Sequence, residues 1–560
     1  MSDPAPPSVL DTRRDQMFPA LTPDEIDRLC RFGRAMNFAA GEAVVRVGEV
    51  GPGLALVLNG EIDVTQRDQT GQTRHIVTHS RGNFMGELAQ LSGRPYLVDE
   101  IARTDTQIMA IAPDKLRALL IAEASLGERI MRALILRRVG LIESGAGPII
   151  IGPEGDGNVL RLTNFLRRNG HPLQRLDPET DACGRTLVQR FSVAPEELPI
   201  VLCPGGQILR NPSEGQLARC VGLVGRLNEE KLYDVVIVGS GPAGLATAVY
   251  AGSEGLSVLM LDCRSFGGQA GASARIENYL GFPTGISGIA LMARAFNQAQ
   301  KFGVEVAIPD ETVKLECGND PCHVDLATGE RIKARSVVVA TGARYRRLDV
   351  DRLEEFEGIS VHYWASPLEA DLSRGEQVAL VGGGNSAGQA TVFLAEHAAS
   401  VTLIARRPLR QTMSQYLVDR IEGLPNVTIV ADVEIVALKG EDGALEAICL
   451  RNRKTGEEGW QEVRYLFSFI GAEPNTDWLG ASGLARDKQG FLLTGGEGRL
   501  PLETSREGVF AVGDVRAGSV KRVAAAVGDG AQVVAAIHAY LAKANEAAHA
   551  PQPEIIVATV

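Results

Sequence analysis

At 560 residues the chain has room for three or four domains of roughly 150 residues. Its 45% apolar and 22% charged residues are the composition of ordinary globular cores. A balance of 57 basic against 69 acidic residues, net −12, opposes nucleic-acid binding, which needs a basic face for the phosphate backbone. Eight cysteines exclude a disulfide scaffold and fit a reducing compartment. The opening residues lack the apolar core of a signal peptide, and no run approaches the ~18 apolar residues of a membrane helix, so a cytoplasmic protein without a membrane span is expected.

The first stretch, 1–145, opens with short apolar runs punctuated by glycine (Ala43-Val44-Val45, Leu54 to Leu58, Ile62 to Val64). That spacing predicts a small β barrel or roll. From Pro113 to Glu143 the pattern turns helical. The segment Phe84-Met85-Gly86-Glu87-Leu88-Ala89, followed by Ser92-Gly93-Arg94-Pro95-Tyr96, resembles the phosphate cassette of the cyclic-nucleotide-binding domain. In that family the Gly-Glu start holds the ribose and an Arg after the Pro pairs with the cyclic phosphate. Here Tyr96 occupies the Arg position, with Asp99 and Glu100 behind it. A single neutral donor replaces a bidentate cation, which favours a regulatory barrel over a cyclic-nucleotide site. Arg94 stands two residues away as a possible substitute.

Residues 146–228 read as a separate small α/β unit. Strands are expected at Pro148 to Ile151 and Pro172 to Asp177, with helices over Val159 to Asn169, Asp181 to Phe191 and Glu214 to Leu223, and a hairpin at 200–209. This order, with Pro199 at the start of the hairpin, resembles the thioredoxin or glutaredoxin fold. Its redox motif is missing, because 152–157 contains no cysteine and thiol chemistry requires a thiolate.

The remaining chain carries the chemistry. The apolar strand Tyr233 to Val238 enters Gly239-Ser240-Gly241-Pro242-Ala243-Gly244, then a helix, then a second strand ending at Asp262. This is a dinucleotide fingerprint in full context. Gly239, Gly241 and Gly244 allow the tight turn and close approach to a pyrophosphate, Ala243 lies in the same turn, and Asp262 is placed for a ribose hydroxyl. The pattern repeats. Gln377 to Val381 enters Gly382-Gly383-Gly384-Asn385-Ser386-Ala387, and the next strand ends in Arg406-Arg407 instead of an acid. An arginine pair suits the 2′-phosphate of NADP. Two fingerprints imply two dinucleotides, FAD at the first and NADPH at the second. The strand running into Gly513-Asp514 resembles the second FAD motif of two-dinucleotide flavoproteins, and Ala340-Thr341-Gly342-Ala343 resembles the turn at their domain crossover. The FAD domain is therefore expected in two parts, 229–346 and 470–546, with the NADPH domain, 347–469, inserted between them. The fold class is thus multidomain: an N-terminal β-roll with helices, a thioredoxin-like α/β unit and two Rossmann-like α/β domains.

Gly267-Gly268-Gln269, Ile276-Glu277-Asn278-Tyr279, Gly281-Phe282-Pro283 and Gly508 to Leu541 resemble the low-molecular-weight thioredoxin reductase family. The resemblance implies that Gln269 and Asn278 lie along FAD and that Lys521, Arg522 and Val523 lie near the flavin's pyrimidine edge. It also implies a homodimer. The reductases place a Cys-x-x-Cys pair just before the second fingerprint. This chain reads Gly358-Ile359-Ser360-Val361-His362-Tyr363-Trp364-Ala365-Ser366-Pro367, with Trp364 and Pro367 at the two cysteine positions. That run resembles the cysteine-free relatives, the thioredoxin-reductase-like ferredoxin–NADP reductases. His362 reads as a core histidine and Trp364 as a shield or as filler where the disulfide was.

The other cysteines offer no obvious replacement. Cys317 and Cys322 read as a polar surface hairpin, Cys183, Cys203 and Cys220 fall in the thioredoxin-like unit away from its first helix, Cys263 follows Asp262, and Cys30 and Cys449 read as isolated core residues. The expected protein is an FAD- and NADPH-dependent oxidoreductase that passes electrons to an acceptor other than an internal disulfide, whether a protein, a quinone-like molecule or oxygen, with the barrel as a ligand-responsive regulator. The sequence names no catalytic residue and no metal site. Two rivals stand beside this reading: a disulfide reductase using a cysteine elsewhere, and a non-catalytic NADPH or redox sensor.

Overall fold

The computed structural model describes residues 12–67, 73–91, 94–143, 147–154, 156–204, 206–224, 227–318, 321–441 and 443–549. Expectations for Ser92, Gly93, Gly155 and Gly205, and for the apolar tail from Ile555 as a docked or frayed terminus, fall outside them. The chain forms two compact units. One holds the described residues up to Leu227 with Leu261–Ser265 and Asn297–Glu311. The other holds Asn228–Met260, Phe266–Phe296 and the residues from Thr312 onwards.

The first unit begins with a β roll of two four-stranded antiparallel sheets. One contains Leu54–Asn59 between Thr106–Ile111 and Phe84–Met85, and the other pairs Ile62–Arg67 with Thr73–His79 and Asp99–Ala102. Leu54, Leu56 and Phe84 fill its core against Leu116, Leu119, Ile130 and Leu134 of the helices Pro113–Ala122 and Ala124–Glu143. Residues 147–224 then form a four-stranded sheet. Gln174–Leu176 lies parallel to Ile149–Ile151, which lies antiparallel to Ile200–Leu202, itself in a hairpin with Ile208–Arg210. Local chemistry starts each helix. Asp156 accepts from Asn158 N and Val159 N ahead of Gly157–Arg168, Asp181 accepts from Gly184 N ahead of Ala182–Arg190, and Ser213 with Gln216 makes a capping box for Glu214–Cys220. Pro199 follows a cis peptide bond.

Inside the roll, Tyr96 is buried among Val45, Val64, Val77 and Leu141, and its hydroxyl donates to Gly53 O at 2.5 Å. The residue that replaces the cassette arginine is thus a core side chain with its one donor used. Glu100 is 2% exposed. Burial pushes its carboxyl up to about 8, with the Arg137 guanidinium pulling the other way. The sign follows from linkage. Between the ordinary value of 4.5 and about 8 the unfolded chain releases a proton that the folded roll retains, so stability falls as pH rises through that window and is level above it. His79 acts oppositely: burial lowers it from 6.5 to about 3, so stability falls as pH drops below 6.5. Glu100→Gln is expected to remove most of the alkaline loss, a span of several kcal/mol at about 1.4 kcal/mol per pH unit. Hydrogen exchange of the roll strands from pH 5 to 9, corrected for intrinsic rates, reads this, and an unchanged slope in the variant would refute it.

The second unit is built on parallel sheets. Leu232–Val238 runs parallel to Arg331–Val339, with Val238 opposite Val339. The first half of Arg331–Val339 pairs antiparallel with Cys322–Leu326, while its last residues pair in parallel with Val509–Ala511, so the C-terminal part of the chain returns to the sheet it left. A five-stranded parallel sheet orders Val361–His362, Tyr465–Ser468, Gln377–Val381, Ser400–Ala405 and Val427–Ala431. Continuous burial along Val378–Val381 and Val401–Ala405 is what a two-sided parallel sheet requires. Ala343–Tyr345 and Ala472–Pro474 pair antiparallel where the chain passes between the two sheets.

Two sequence expectations need correction. Against the reading of the cysteines as those of a reducing compartment, four are joined: Cys203 bonds Cys220, and Cys317 bonds Cys322 within the expected hairpin, at Cα separations of 5.9 and 4.6 Å. The second pair closes the hairpin between Thr312–Glu316 and Cys322–Leu326; the first fastens the end of Ile200–Leu202 to the helix Glu214–Cys220. Sequence separation alone does not reveal that two side chains meet across a helix and a strand. The chain also holds, among the described residues, one helix long and apolar enough to cross a membrane, Val523–Glu546. Its small residues pack on the helix Pro242–Ser253, since a Cβ on Gly530 would stand 2.5 Å from Ala243 O.

Candidate functional site

Both nucleotide turns stand at the carboxyl ends of parallel strands, where open α/β sheets bind ligands. In the first, Val238 leads into Gly239, whose φ of +110° and close neighbour leave no room for a side chain: a Cβ would lie 2.3 Å from Ala340 O. Gly244 is as tightly held, since a Cβ there would lie 1.9 Å from Gly239 O. Gly241 differs. The nearest atom to its Cβ position is Gly268 Cα at 4.0 Å, so packing does not demand glycine there. Two glycines thus shape the turn and one leaves space above it, which fits the close approach of a dinucleotide pyrophosphate at the start of the helix Pro242–Ser253.

Several other predicted residues lie against this turn or the turns beside it, and Asn278, Arg522 and Asp262 show no contact with it in the bonds described below. Gly267 N donates to Ser240 O at 2.8 Å, and the Gln269 side-chain amide donates to Ala343 O. Ala340 N donates to Val238 O at 2.7 Å and Val512 N to Val339 O at 3.0 Å, so the 340–342 and 513–514 turns leave neighbouring strands side by side. A Cβ on Gly513 would stand 2.8 Å from the Ala243 Cβ. Burial pushes the Asp514 carboxyl up, with Asp529 adding to the rise and Lys521 opposing it. Lys521 has φ +47°, an uncommon backbone state for a side-chain-bearing residue, and its ammonium donates to Asp514 O at 2.5 Å and Ser519 Oγ at 2.8 Å, 4.1 Å from the Phe491 ring centroid. Arg522 is exposed and Val523 opens the final helix. Asn278 is exposed on the loop after Ile276, whose backbone bridges Ile286. Asp262 directly follows the strand Val258–Leu261, and its Oδ1 accepts from Arg264 N at 3.1 Å.

Two residues that the sequence reading passed over hold these turns in place. Asn475 clasps the crossover: its Nδ2 donates to Thr341 O at 2.9 Å, its carbonyl accepts from Thr341 Oγ1 at 2.8 Å, and its N–H reaches Gly342 O at 3.0 Å. Asp529, sixteen residues after Gly513, accepts from Gly513 N at 3.0 Å and pairs with Arg516 at 3.1 Å. Asn475 lies in no recognisable motif, Asp529 falls inside the 508–541 resemblance without being singled out there, and only the fold brings them to the turns they fix.

In the second fingerprint, nothing lies within 4 Å of a Cβ placed on Gly384, the counterpart of Gly241. Asn385 is locked by a two-way contact, its Nδ2 donating to Ser414 Oγ at 2.9 Å and its Oδ1 accepting from Ser414 N at 2.7 Å. Gly382 N donates to Ile404 O at 2.9 Å, which ties the fingerprint to the strand Ser400–Ala405. Arg406 and Arg407 follow that strand, both exposed, and neither guanidinium has a hydrogen-bond or ion-pair partner among the described residues. Two unpaired cations at this strand end fit a 2′-phosphate. Tyr345 joins the two halves: its ring meets Phe469 edge-on at 5.1 Å, and burial raises its pKa, with Ser386 opposing the rise.

The segment 358–367, just before the second fingerprint, is held by a carboxylate. Glu369, buried, accepts from Trp364 Nε1 at 2.8 Å, from Ser366 N at 3.0 Å and from the Ser366 hydroxyl. His362 is buried beside Phe467 and Tyr465, with burial lowering its pKa. Among the described residues no group of three or more His, Cys, Asp or Glu could hold a metal ion.

Comparison with known proteins agrees with this geometry. Residues 233–530 match the family model of pyridine nucleotide-disulphide oxidoreductases, and residues 35–123 match that of the cyclic nucleotide-binding domain. Thioredoxin reductase of Bacillus subtilis is 32% identical over 320 residues, 57% of this chain and 98% of the relative. The bifunctional thioredoxin reductase/thioredoxin of Mycobacterium leprae is 33% identical over 323 residues, 57% of this chain and 69% of that protein. Among solved structures, Lactococcus lactis thioredoxin reductase superposes with a TM-score of 0.52 at 29% identity, covering 56% of this chain and 99% of its own. The chain therefore belongs to the pyridine nucleotide-disulphide oxidoreductase family, as a thioredoxin-reductase-like enzyme that uses FAD and NADPH and carries a cyclic nucleotide-binding domain ahead of its catalytic core.

Proposed function

We propose that the enzyme oxidises NADPH and delivers the electrons to an acceptor outside the segment 358–367, under the influence of its N-terminal roll. The observation that carries this reading is the pair of open glycine positions, Gly241 and Gly384, each at the end of its own parallel sheet in one compact unit. FAD, when bound, supplies two-electron chemistry between NADPH and the acceptor. The residues of the chain bind and orient. Gly239, Gly241, Ala243, Gly244, Asp262, Gln269, Asn278, Thr341, Gly342, Gly513, Asp514, Lys521, Arg522 and Val523 form the FAD site in this reading. Gly382, Gly384, Asn385, Ser386, Arg406 and Arg407 form the NADPH site. Domain limits follow the sequence boundaries, with 229–346 and 470–546 as the FAD domain, 347–469 as the NADPH domain, and 146–228 as a thioredoxin-like unit. The resemblance places the family's cysteine pair at Trp364 and Pro367, and a fixed polar brace of Glu369 with Trp364 and Ser366 supports seeking the acceptor elsewhere. A cytoplasmic homodimer completes the proposal.

Anaerobic titration of the purified protein with NADPH, followed at the flavin absorbance, tests it. Bleaching at one equivalent is the expected result, and a flavin that stays oxidised would refute it. A second reading, disulfide reduction, is favoured by the Cys203–Cys220 and Cys317–Cys322 bonds. It requires NADPH-dependent release of thiols at one of these pairs, countable by alkylation and mass spectrometry. If neither pair opens when the flavin is reduced, the non-disulfide acceptor stands.

A further inference from the structure

Asn169 ends the helix Gly157–Arg168, and Gly170 follows it at φ +60°, an ordinary way to stop a helix. A helix stop needs only one bond from the Asn169 side chain, and this side chain makes two. Its Nδ2 donates to Phe165 O at 2.9 Å within its own helix and to Arg264 O at 3.1 Å, 95 residues further along the chain. Asn169 is 9% exposed, so both bonds are made largely out of water, where an amide without partners is costly. Arg264 belongs to the short segment after the strand Val258–Leu261, in the same compact unit as Asn169. While its carbonyl accepts from Asn169, its N–H donates to Asp262 Oδ1 at 3.1 Å. The main chain of Asp262 is held from the other side, since Asp262 N donates to Ala307 O at 3.3 Å and Asp310 N donates to Asp262 O at 2.8 Å. Asn169 thus fixes the Arg264 carbonyl, and the Arg264 N–H fixes one oxygen of the Asp262 carboxylate.

The next residue carries the connection into the roll. Gly170 O accepts from Arg138 Nε at 3.0 Å, and Arg138 Nη1 lies 3.4 Å from Glu87 Oε1. The Arg138 and Glu87 side chains are 13% and 7% exposed, so salt screens this pair little. Glu87 stands at the Gly-Glu start of the segment that resembles a phosphate cassette. The roll meets the 297–311 segment of the same unit at a second place, where a Cβ on Gly303 would stand 3.7 Å from Arg117 Nε. Arg117 is itself tied to the roll, its Nη1 donating to Leu91 O at 2.6 Å.

We propose that Asn169 is a positioning residue for the FAD site: it holds the Arg264 main chain so that the Asp262 carboxylate meets the adenosine ribose, and through Arg138 it ties FAD affinity to Glu87 of the roll. The proposal rests on the assignment of Asp262 to FAD. A hydrogen bond weakens steeply as its angle departs from straight, so the aim of that carboxylate decides what it contributes. The support comes from the region ahead of the nucleotide motifs, and every link is a hydrogen bond or ion pair inside one compact unit.

The test is titration of the full-length protein, stripped of flavin, with FAD and with FMN, bound flavin being read by fluorescence. FMN has no adenosine and so no ribose for Asp262. Asn169→Leu is expected to raise the Kd for FAD about tenfold and to leave the Kd for FMN unchanged. Asn169→Ser, a milder change that keeps a polar cap without the reach to Arg264, is expected to do the same. Asp262→Ala is expected to raise the Kd for FAD at least as much. The double variant Asn169→Leu with Asp262→Ala should bind FAD no worse than Asp262→Ala alone, because the first residue acts through the second. Arg138→Gln is expected to raise the Kd for FAD about threefold, again without effect on FMN. The proposal is overturned if Asp262→Ala weakens FAD while the Asn169 variants do not, if FMN weakens as much as FAD, or if the Asn169 and Asp262 effects multiply. An FAD affinity unchanged by Arg138→Gln overturns the tie to the roll. If Asp262→Ala itself binds FAD as the native chain does, the assignment of Asp262 to the cofactor fails and the proposal falls with it.

Discussion

Gly244→Ala is expected to leave the protein colourless. The new methyl carbon would sit 1.9 Å from Gly239 O, and the backbone on both sides is fixed, by the Gly239 turn and by the helix Pro242–Ser253. The clash falls on a carbonyl and not on the free end of a side chain, so relief requires moving the turn off its strand. A penalty of about 3 kcal/mol or more is the scale for forced backbone displacement in a packed site, enough to lower retained FAD more than a hundredfold. The same change should lower the melting temperature of the FAD-free protein, because the strain exists without the cofactor. Gly241→Ala provides the contrast. Its methyl has nothing closer than Gly268 Cα at 4.0 Å, so the FAD-free protein should melt unchanged while FAD content falls. Absorbance at the flavin band after purification, read against thermal unfolding of the stripped proteins, separates the two. A Gly241→Ala protein with a full complement of FAD would remove that residue from the cofactor site.

The second large effect is on coenzyme choice. Arg406→Ser with Arg407→Ser is expected to raise KM for NADPH by a hundredfold or more and to leave kcat nearly intact. Each arginine offers a charge-assisted contact worth about 1.5–3 kcal/mol, and two together give about 3–6 kcal/mol. The 2′-phosphate lies far from the nicotinamide, so the loss is uniform binding and appears in KM. KM for NADH should change little, because neither guanidinium has another partner to lose among the described residues. Steady-state kinetics with both coenzymes checks this, and an unchanged ratio of the two kcat/KM values would contradict the assignment.

Much of the redox core was legible because its signals are local. A strand, a glycine turn and a helix occupy about 30 consecutive residues, and each step has a short-range cause in burial, positive φ or a missing Cβ. The helices expected at Val159, Asp181 and Glu214 were readable for the same reason, and they start within two residues of those positions, behind caps at Asp156, Asp181 and Ser213. The supports of the site were not. Asn475 reaches back 134 residues to Thr341, and Glu369 gathers Trp364 and Ser366 by folding a short helix over them. Asn and Glu are common polar residues, and nothing in their neighbours' identities marks them as braces.

The sequence by itself determined the two nucleotide fingerprints, the arginine pair of the second and the Tyr96 departure from the cassette pattern, since each is a matter of residue type at fixed spacing. Only the tertiary structure decided that Tyr96 is core, that four of the eight cysteines are joined, and that Glu100 and His79 are buried inside the roll. Those facts depend on which distant segments meet and on what burial then does to a charge or a thiol, and neither is encoded in local spacing.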